Sequence, residues 1–495
     1  MSATIRIMFF VLPKRSISLL LPVFVFVLAL GYRIYGISSG HSFWIDESQI
    51  SYASEALAQG TKSLIGVYKY VYYQYGQMLI TATSYFLLGI SEWQGRLPTV
   101  IWGAIGVVIG LLLVRTYTKN PLIGLSTLIL QTCSTMLLSQ STQLKPYTAI
   151  ATITLVLLYL MRRNIEMKKT SVVTGLYLFP LVLLAGFLHY IGFLLIFPLV
   201  IYYALVSPTR IVRILALITI IGVICGLNIY IPSYFNHFVY FKNLFLRQYG
   251  VITGFFALWI ILRTIKRDHF ALVVGSLIVS WIIVCNFKQY THNIRYIVTP
   301  MTVMMTFAPL GIYELTQLIT KKWRLVAQVL LIMLMLFLLR DKISWLPQTY
   351  YSPNKDFYGD VQTADYKTFA AKIISSYPDI MSSTVIAPNS FFGHSYVDYG
   401  VDLYLTRSNN LVEPSINGIR RVSQLGQMQA FMQDHPQGYL IVEKWHSFVP
   451  DDVQEYAAQH MEKLIEVDSL PQTSDDPWPL ILYRWGYNSE RSPSL

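Results

Sequence analysis

Apolar residues in the first two-thirds of the chain come in long runs rather than in alternation, and polar residues collect in the short segments between them. A membrane-spanning helix needs roughly 20 such residues. Eleven runs are read as spans, at approximately 16–36, 97–115, 121–138, 144–161, 171–188, 190–207, 212–232, 250–263, 269–286, 295–314 and 324–340. The run Gln77–Ile90 is shorter, and counting it would invert every later loop; it is read as a helix lying on the outer interface. Beyond residue 342 the pattern changes. Helical periodicity over Asp365–Ser376, Val422–Gln433 and Asp451–Leu464 alternates with strand-like runs at Thr384–Ala387, Gly438–Val442 and Pro479–Trp485. The expected fold is a polytopic α-helical membrane protein with about 11 transmembrane helices over 1–342, including outer juxtamembrane helices within 43–95. A small extracytoplasmic α/β domain follows over 343–495.

Charge divides the chain at the same place. Up to Arg340 there are 27 Lys and Arg against 7 Asp and Glu, a balance of +20; the remainder has 11 against 19, or −8. Basic residues favour the cytoplasmic side. An N-terminus inside gives every inner segment at least two of them, including Arg115 and Lys119, Arg162 and Arg163, and Lys321, Lys322 and Arg324. An odd number of spans then leaves the tail outside. The three cysteines all lie in apolar runs, which argues against a disulfide framework. The first run is followed by no small-residue cleavage site, and the chain has no N-x-Ser/Thr sequon, which fits a bacterial cytoplasmic (inner) membrane. A Gly-rich phosphate loop is missing, and nothing in the pattern calls for a nucleic-acid partner.

Those seven acids of the membrane part draw attention to the chemistry. Asp46 and Glu47 stand side by side directly after the first span, with Glu55 and Glu92 the other outer carboxylates. A carboxylate at a membrane surface is a ready general base. Asp46 is also placed to cap a helix running to Gln59, with Gln49 three residues on and Gly60 as terminator. Both acids are catalytic candidates, Glu47 more as an orienting or metal-binding group. With His41 they permit a divalent cation without demanding one. Nine outer cations oppose them: Arg33, Lys62, Lys69, Arg96, Lys145, Lys242, Arg247, Lys288 and Arg295. Such an excess outside suggests an anionic ligand such as a phosphate, with contact to lipid headgroups as the plain alternative. Lys145 precedes Pro146-Tyr147 at a helix start suited to an anion. Arg295-Tyr296 opens the tenth span, Arg247 precedes the eighth, and His189-Tyr190 marks a tight outer hairpin.

The order of these features resembles the GT-C integral-membrane glycosyltransferases that use polyprenyl-phosphate sugars, such as protein O-mannosyltransferases and the lipid A aminoarabinose transferase. Phe43-Trp44-Ile45-Asp46-Glu47 is similar to the acidic motif of their first outer loop, and Glu92-Trp93-Gln94-Gly95-Arg96-Leu97-Pro98 to their Arg-Leu-Pro entry. Ser139 to Tyr147 is similar to their Ser-Gln…Arg-x-Tyr segment, and Arg295-Tyr296 to their late Arg-Tyr. The resemblance implies that Asp46 deprotonates an acceptor of the cell envelope (a glycan, lipid or protein). It attacks the sugar with inversion while the lipid phosphate leaves. Lys145, Arg295, Lys69 and Arg247 would hold that phosphate, with His41, Tyr147, His189 and Tyr296 lining the cavity. Two other readings are a flippase for a lipid-linked glycan and a glycan polymerase or ligase with a lipid-pyrophosphate donor.

Overall fold

The computed structural model describes residues 14–71, 74–167, 172–206, 218–219, 222, 236–288, 293–352, 364–388, 403–404, 420–422, 424–443, 450–470 and 479–486. Of the eleven expected spans, ten are helical. The 212–232 stretch lies almost wholly outside the described residues. In chain order the first helices are α1 (Lys14–Gly36), α2 (Ile45–Ala58), α3 (Leu64–Val71), α4 (Tyr75–Leu88) and α5 (Glu92–Arg115). Next come α6 (Pro121–Cys133), α7 (Thr135–Ser141), α8 (Tyr147–Glu166), α9 (Val172–Leu188) and α10 (Ile196–Val206). The bundle closes with α11 (Phe238–Lys242), α12 (Gly250–Ile265), α13 (His269–Phe287), α14 (Val298–Gln317) and α15 (Lys321–Leu338).

Among the described residues four helical units are long and apolar enough to cross a membrane: α5, α8, α13 and Ile294–Gln317. Phe238–Gln248 and Gly250–Ile265, bent by 88°, make a fifth if they count as one span. Phe24 and Val27 on α1, with Leu330, Met333 and Phe337 on α15, are exposed. Water would penalise so large an apolar belt, and lipid would not. This is an integral membrane protein. The expected 121–138 span is interrupted: Ser134 is extended (φ −60°, ψ 121°), and the helix restarts as α7. A segment from beyond the last helix fills the break. Ser134 forms an antiparallel bridge with Ile343, Ser344 N–H donates to the Cys133 carbonyl at 2.8 Å, and Tyr32 Oη donates to the Ser344 carbonyl at 2.6 Å.

The tail holds helices α16 (Tyr366–Ser376), α17 (Leu425–Asp434) and α18 (Asp451–His460) around a five-stranded sheet. Its strands are β1 (Val385–Pro388), β2 (Arg420–Val422), β3 (Gly438–Glu443), β4 (Glu462–Val467) and β5 (Leu480–Trp485), in the order β2-β1-β3-β5-β4. β2, β1 and β3 are parallel, and β5 runs antiparallel between β3 and β4. Three of the expected strands are present within a residue or two, but two helical readings need correction. Val422 ends β2, and the helix begins only at Leu425. The helix from Asp451 stops at His460, after which Glu462–Val467 pairs with β5. Ladder hydrogen bonds to β5 and burial of Ile465 and Val467 outweigh the local helical period there.

One side of the sheet, with Tyr439, Ile441, Leu480 and Leu482, belongs to a single apolar cluster with Phe369 and Ile373 of α16 and with Phe43, Ile50 and Ala53 beside and on α2. Leu440, Val442, Ile481 and Tyr483 cluster instead with α17 and α18. Polar contacts reinforce the junction with the bundle. Phe43 N–H donates to Tyr404 Oη at 2.7 Å, and Lys367 Nζ donates to the Gly40 carbonyl at 3.0 Å and pairs with Glu92 at 3.2 Å. The sheet is thus joined to the segment carrying Asp46.

Candidate active site

Helix α2 begins at Ile45, with Trp44 as its extended N-cap (φ −81°, ψ 163°). Asp46 was expected to be the cap; the structure assigns that work to Glu47, whose Oε2 accepts from Trp44 N–H at 3.0 Å. The reason is register: Glu47 is third in the helix, where a carboxylate reaches back to the cap N–H. Asp46 is thereby left free to point elsewhere. Gly60 (φ 71°) follows the helix end, as expected of a left-handed terminator.

Glu47 is fully buried. Arg96 Nε donates to its Oε1 and Arg96 Nη2 to its Oε2, each at 2.9 Å, and Leu144 N–H adds a 2.7 Å bond to Oε1. The same guanidinium donates to the carbonyls of His41 (2.9 Å) and Ser42 (3.0 Å) and lies 4.8 Å from the centre of the Phe43 ring. A two-pronged buried pair of this kind fixes direction as well as charge. It locks together the loop before α2, helix α5 and the segment leading into α8.

Asp46 is directed at two cations. Its Oδ2 accepts a hydrogen bond from Arg295 Nη1 and lies 3.6 Å from Lys145 Nζ. Lys145 is buried, sits 4.3 Å above the Trp44 ring, and has no hydrogen-bond partner for its ammonium. Burial alone would raise the Asp46 carboxyl, but Arg295 and then Lys145 outweigh it and hold it below its ordinary value. Burial pushes Lys145 down to about 8, against the pull of Asp46. Arg295 Nη2 also donates to Tyr296 Oη at 3.2 Å. Both cations stand just before helix starts, Lys145 ahead of α8 and Arg295 ahead of α14.

An aromatic wall adjoins this cluster. The Tyr147 ring lies 5.8 Å from Tyr296 and 5.2 Å from His189, which stacks on Tyr190 at 4.4 Å. His189 Nδ1 accepts from Ile191 N–H at 3.2 Å, which places the proton on Nε2, 3.5 Å from Tyr147 Oη. Burial pushes this imidazole down to about 3, so it stays neutral.

The structure brings Asp46, Lys145, Arg295, Tyr296, Tyr147 and His189 together, and the other candidates fall elsewhere. His41 lies against Tyr350 at 4.6 Å with Ser39 Oγ 3.0 Å from Nδ1, and burial pushes it well below its usual value. Arg247 is exposed near the α11–α12 bend and forms no ion pair among the described residues. The backbone of Lys69 is in α3; its side chain lies outside the described residues. Among the described residues no three His, Cys, Asp or Glu side chains gather as a metal ion would require. Two participants were not foreseen from the sequence: Trp44 as the platform for Lys145, and Arg96 as the partner of Glu47. The buried Arg of Glu92–Pro98 was visible as a motif, but its partner 49 residues away was not.

No protein-family model and no curated protein sequence matches the chain. Solved structures do. ArnT from Cupriavidus metallidurans in the apo state superposes with a TM-score of 0.55 at 12% identity, covering 97% of this chain and 100% of that one. The same protein bound to undecaprenyl phosphate gives 0.51, again at 12% identity and with the same coverage. End to end, and at an identity too low for sequence matching, this chain has the GT-C-like fold of ArnT.

Proposed function

We propose that the protein is a glycosyltransferase that moves a sugar from a polyprenyl-phosphate donor to a cell-envelope acceptor at the outer face of a bacterial cytoplasmic membrane. The observation that carries this reading is one carboxylate, Asp46, set between two cations, Lys145 and Arg295. The neighbouring fold supports it, since ArnT has been crystallised with undecaprenyl phosphate.

The cluster carries one positive charge in excess, which a sugar phosphodiester with a single negative charge neutralises. When that phosphate takes Lys145 and Arg295, the two cations release their hold on Asp46. Its basicity then recovers towards that of an ordinary carboxylate. Asp46 accepts the proton of the acceptor hydroxyl as its oxygen forms a bond to the sugar C1 on the face opposite the phosphate. The C1–O bond to phosphate breaks, its electron pair stays on the phosphate oxygen, and the sugar inverts. The balance holds throughout: Asp46 becomes neutral as the leaving phosphate gains its second charge between the two cations. Two helix starts beside the cations add partial positive charge where it is needed. Glu47 touches no reacting atom in this scheme; with Arg96 it aims α2.

Transfer from polyprenyl-phosphate sugars in purified membranes tests the proposal, with wild type compared with Asp46→Asn at matched amounts. Loss of transfer with donor binding retained is the expected result. Full transfer by Asp46→Asn would remove the base, and no transfer by wild type from any such donor would favour a flippase or a pyrophosphate-donor enzyme.

A further inference from the structure

Next to the first turns of α8 and α14, three residues on from Lys145 and from Arg295, lies a small cavity of about 20 Å3, mostly apolar but lined also by Arg33, Gly103, Gly106, Thr148 and Val298. Arg33, on the last turn of α1, is 2% exposed. Its Nη1 and Nη2 donate to the carbonyls of Ala29 (3.2 Å) and Gln131 (3.0 Å), and Nε has no partner. The described residues give it no carboxylate. A buried guanidinium paired only with neutral carbonyls is costly, and natural cores compensate such a charge.

The surroundings repeat the same demand. Thr148 is buried and its hydroxyl is likewise unpartnered. It stands on the first turn of α8, and Val298 opens α14, so two positive helix ends border the cavity. Glycines make room for the side chains that line it. A Cβ on Gly103 would come 2.5 Å from Arg33 Nε, and one on Gly106 would come 2.7 Å from Thr152 Oγ1. Thr152 and Thr302 already spend their hydroxyls on the carbonyls of Trp102 and Val298. What remains is an N–H and an O–H beside a fixed positive charge, with room for about one water-sized occupant. A phosphate or lipid headgroup is too large.

We propose that this cavity is a binding site for a single halide ion, chloride in the cell, held by Arg33 Nε and Thr148 Oγ1. The ion neutralises Arg33, and it does so whether or not the transfer reaction above is correct.

The purified full-length protein tests this with bromide as probe. Crystals soaked in bromide should show an anomalous peak between Arg33 and Thr148. In solution, the unfolding midpoint should rise saturably with chloride or bromide relative to gluconate at equal ionic strength. Thr148→Val, which keeps the shape and removes one donor, should weaken that response about tenfold, and Arg33→Gln should abolish it. A wild-type crystal without bromide at this position, or a midpoint indifferent to anion identity, would show that water serves Arg33 and would overturn the proposal.

Discussion

At the scale of single residues, the proposed reaction divides its work unequally among Asp46, Lys145 and Arg295. Replacing Asp46 by Asn keeps shape and removes the base, so transfer should fall about 10²–10⁴-fold with donor affinity preserved or improved, measured as kcat against KM. Lys145→Met should act on the donor instead, weakening it roughly 10–100-fold, the range expected for a lost hydrogen bond to a charged group. Lys145 also sets a pH limit. A lysine held at about 8 is cationic below that value and neutral above it. Donor kcat/KM should therefore decline as pH rises through about 8, and Lys145→Arg should move that limb upward. Asp46 was legible as a candidate because so few outer carboxylates compete with it. That it faces away from the capping position was not legible, because the choice between Asp46 and Glu47 as cap depends on which residue starts the helix.

At the scale of elements, the Glu47–Arg96 pair joins α2 to α5 inside the protein, where breaking one partner strands the other. Glu47→Gln should destabilise the protein by about 3–5 kcal/mol, and pairing it with Arg96→Met should recover part of that loss, as read from unfolding midpoints of the single and double variants. Helices from apolar runs were the most legible part of the chain, since length and hydropathy are properties of the segment alone. The break at Ser134 and strand β4 were not, because each is decided by a partner far away in sequence: Ile343 for one, β5 for the other. The tail has its own titrating element. Glu443, at the end of β3, is buried, accepts from Tyr366 Oη at 2.8 Å, and is raised by burial to about 7. The unfolded carboxyl loses its proton near 4.5, so burying Glu443 costs nothing below that pH and costs progressively more as pH rises towards 7. Glu443→Gln should therefore raise the unfolding midpoint at pH 8 and leave it nearly unchanged at pH 4.

At the scale of the whole molecule, the tail and the bundle share one apolar cluster around Phe43, Ile50 and Phe369. Ending the chain after residue 352 should expose that surface and give a protein that aggregates on extraction and transfers no sugar, as read by size-exclusion profile and assay. The bridge between Ser134 and Ile343 carries a further consequence, for biosynthesis. The break ahead of α7, and so the stretch from Ser139 to Lys145, is completed by residues made some two hundred positions later. A nascent chain stalled on the ribosome before Ser344 has emerged holds Asp46 and Lys145 but leaves the Cys133 carbonyl without its donor. Helix α15 must therefore be inserted before α7 can be seated, so the proposed site is completed only once the whole bundle, though not yet the tail, has been made.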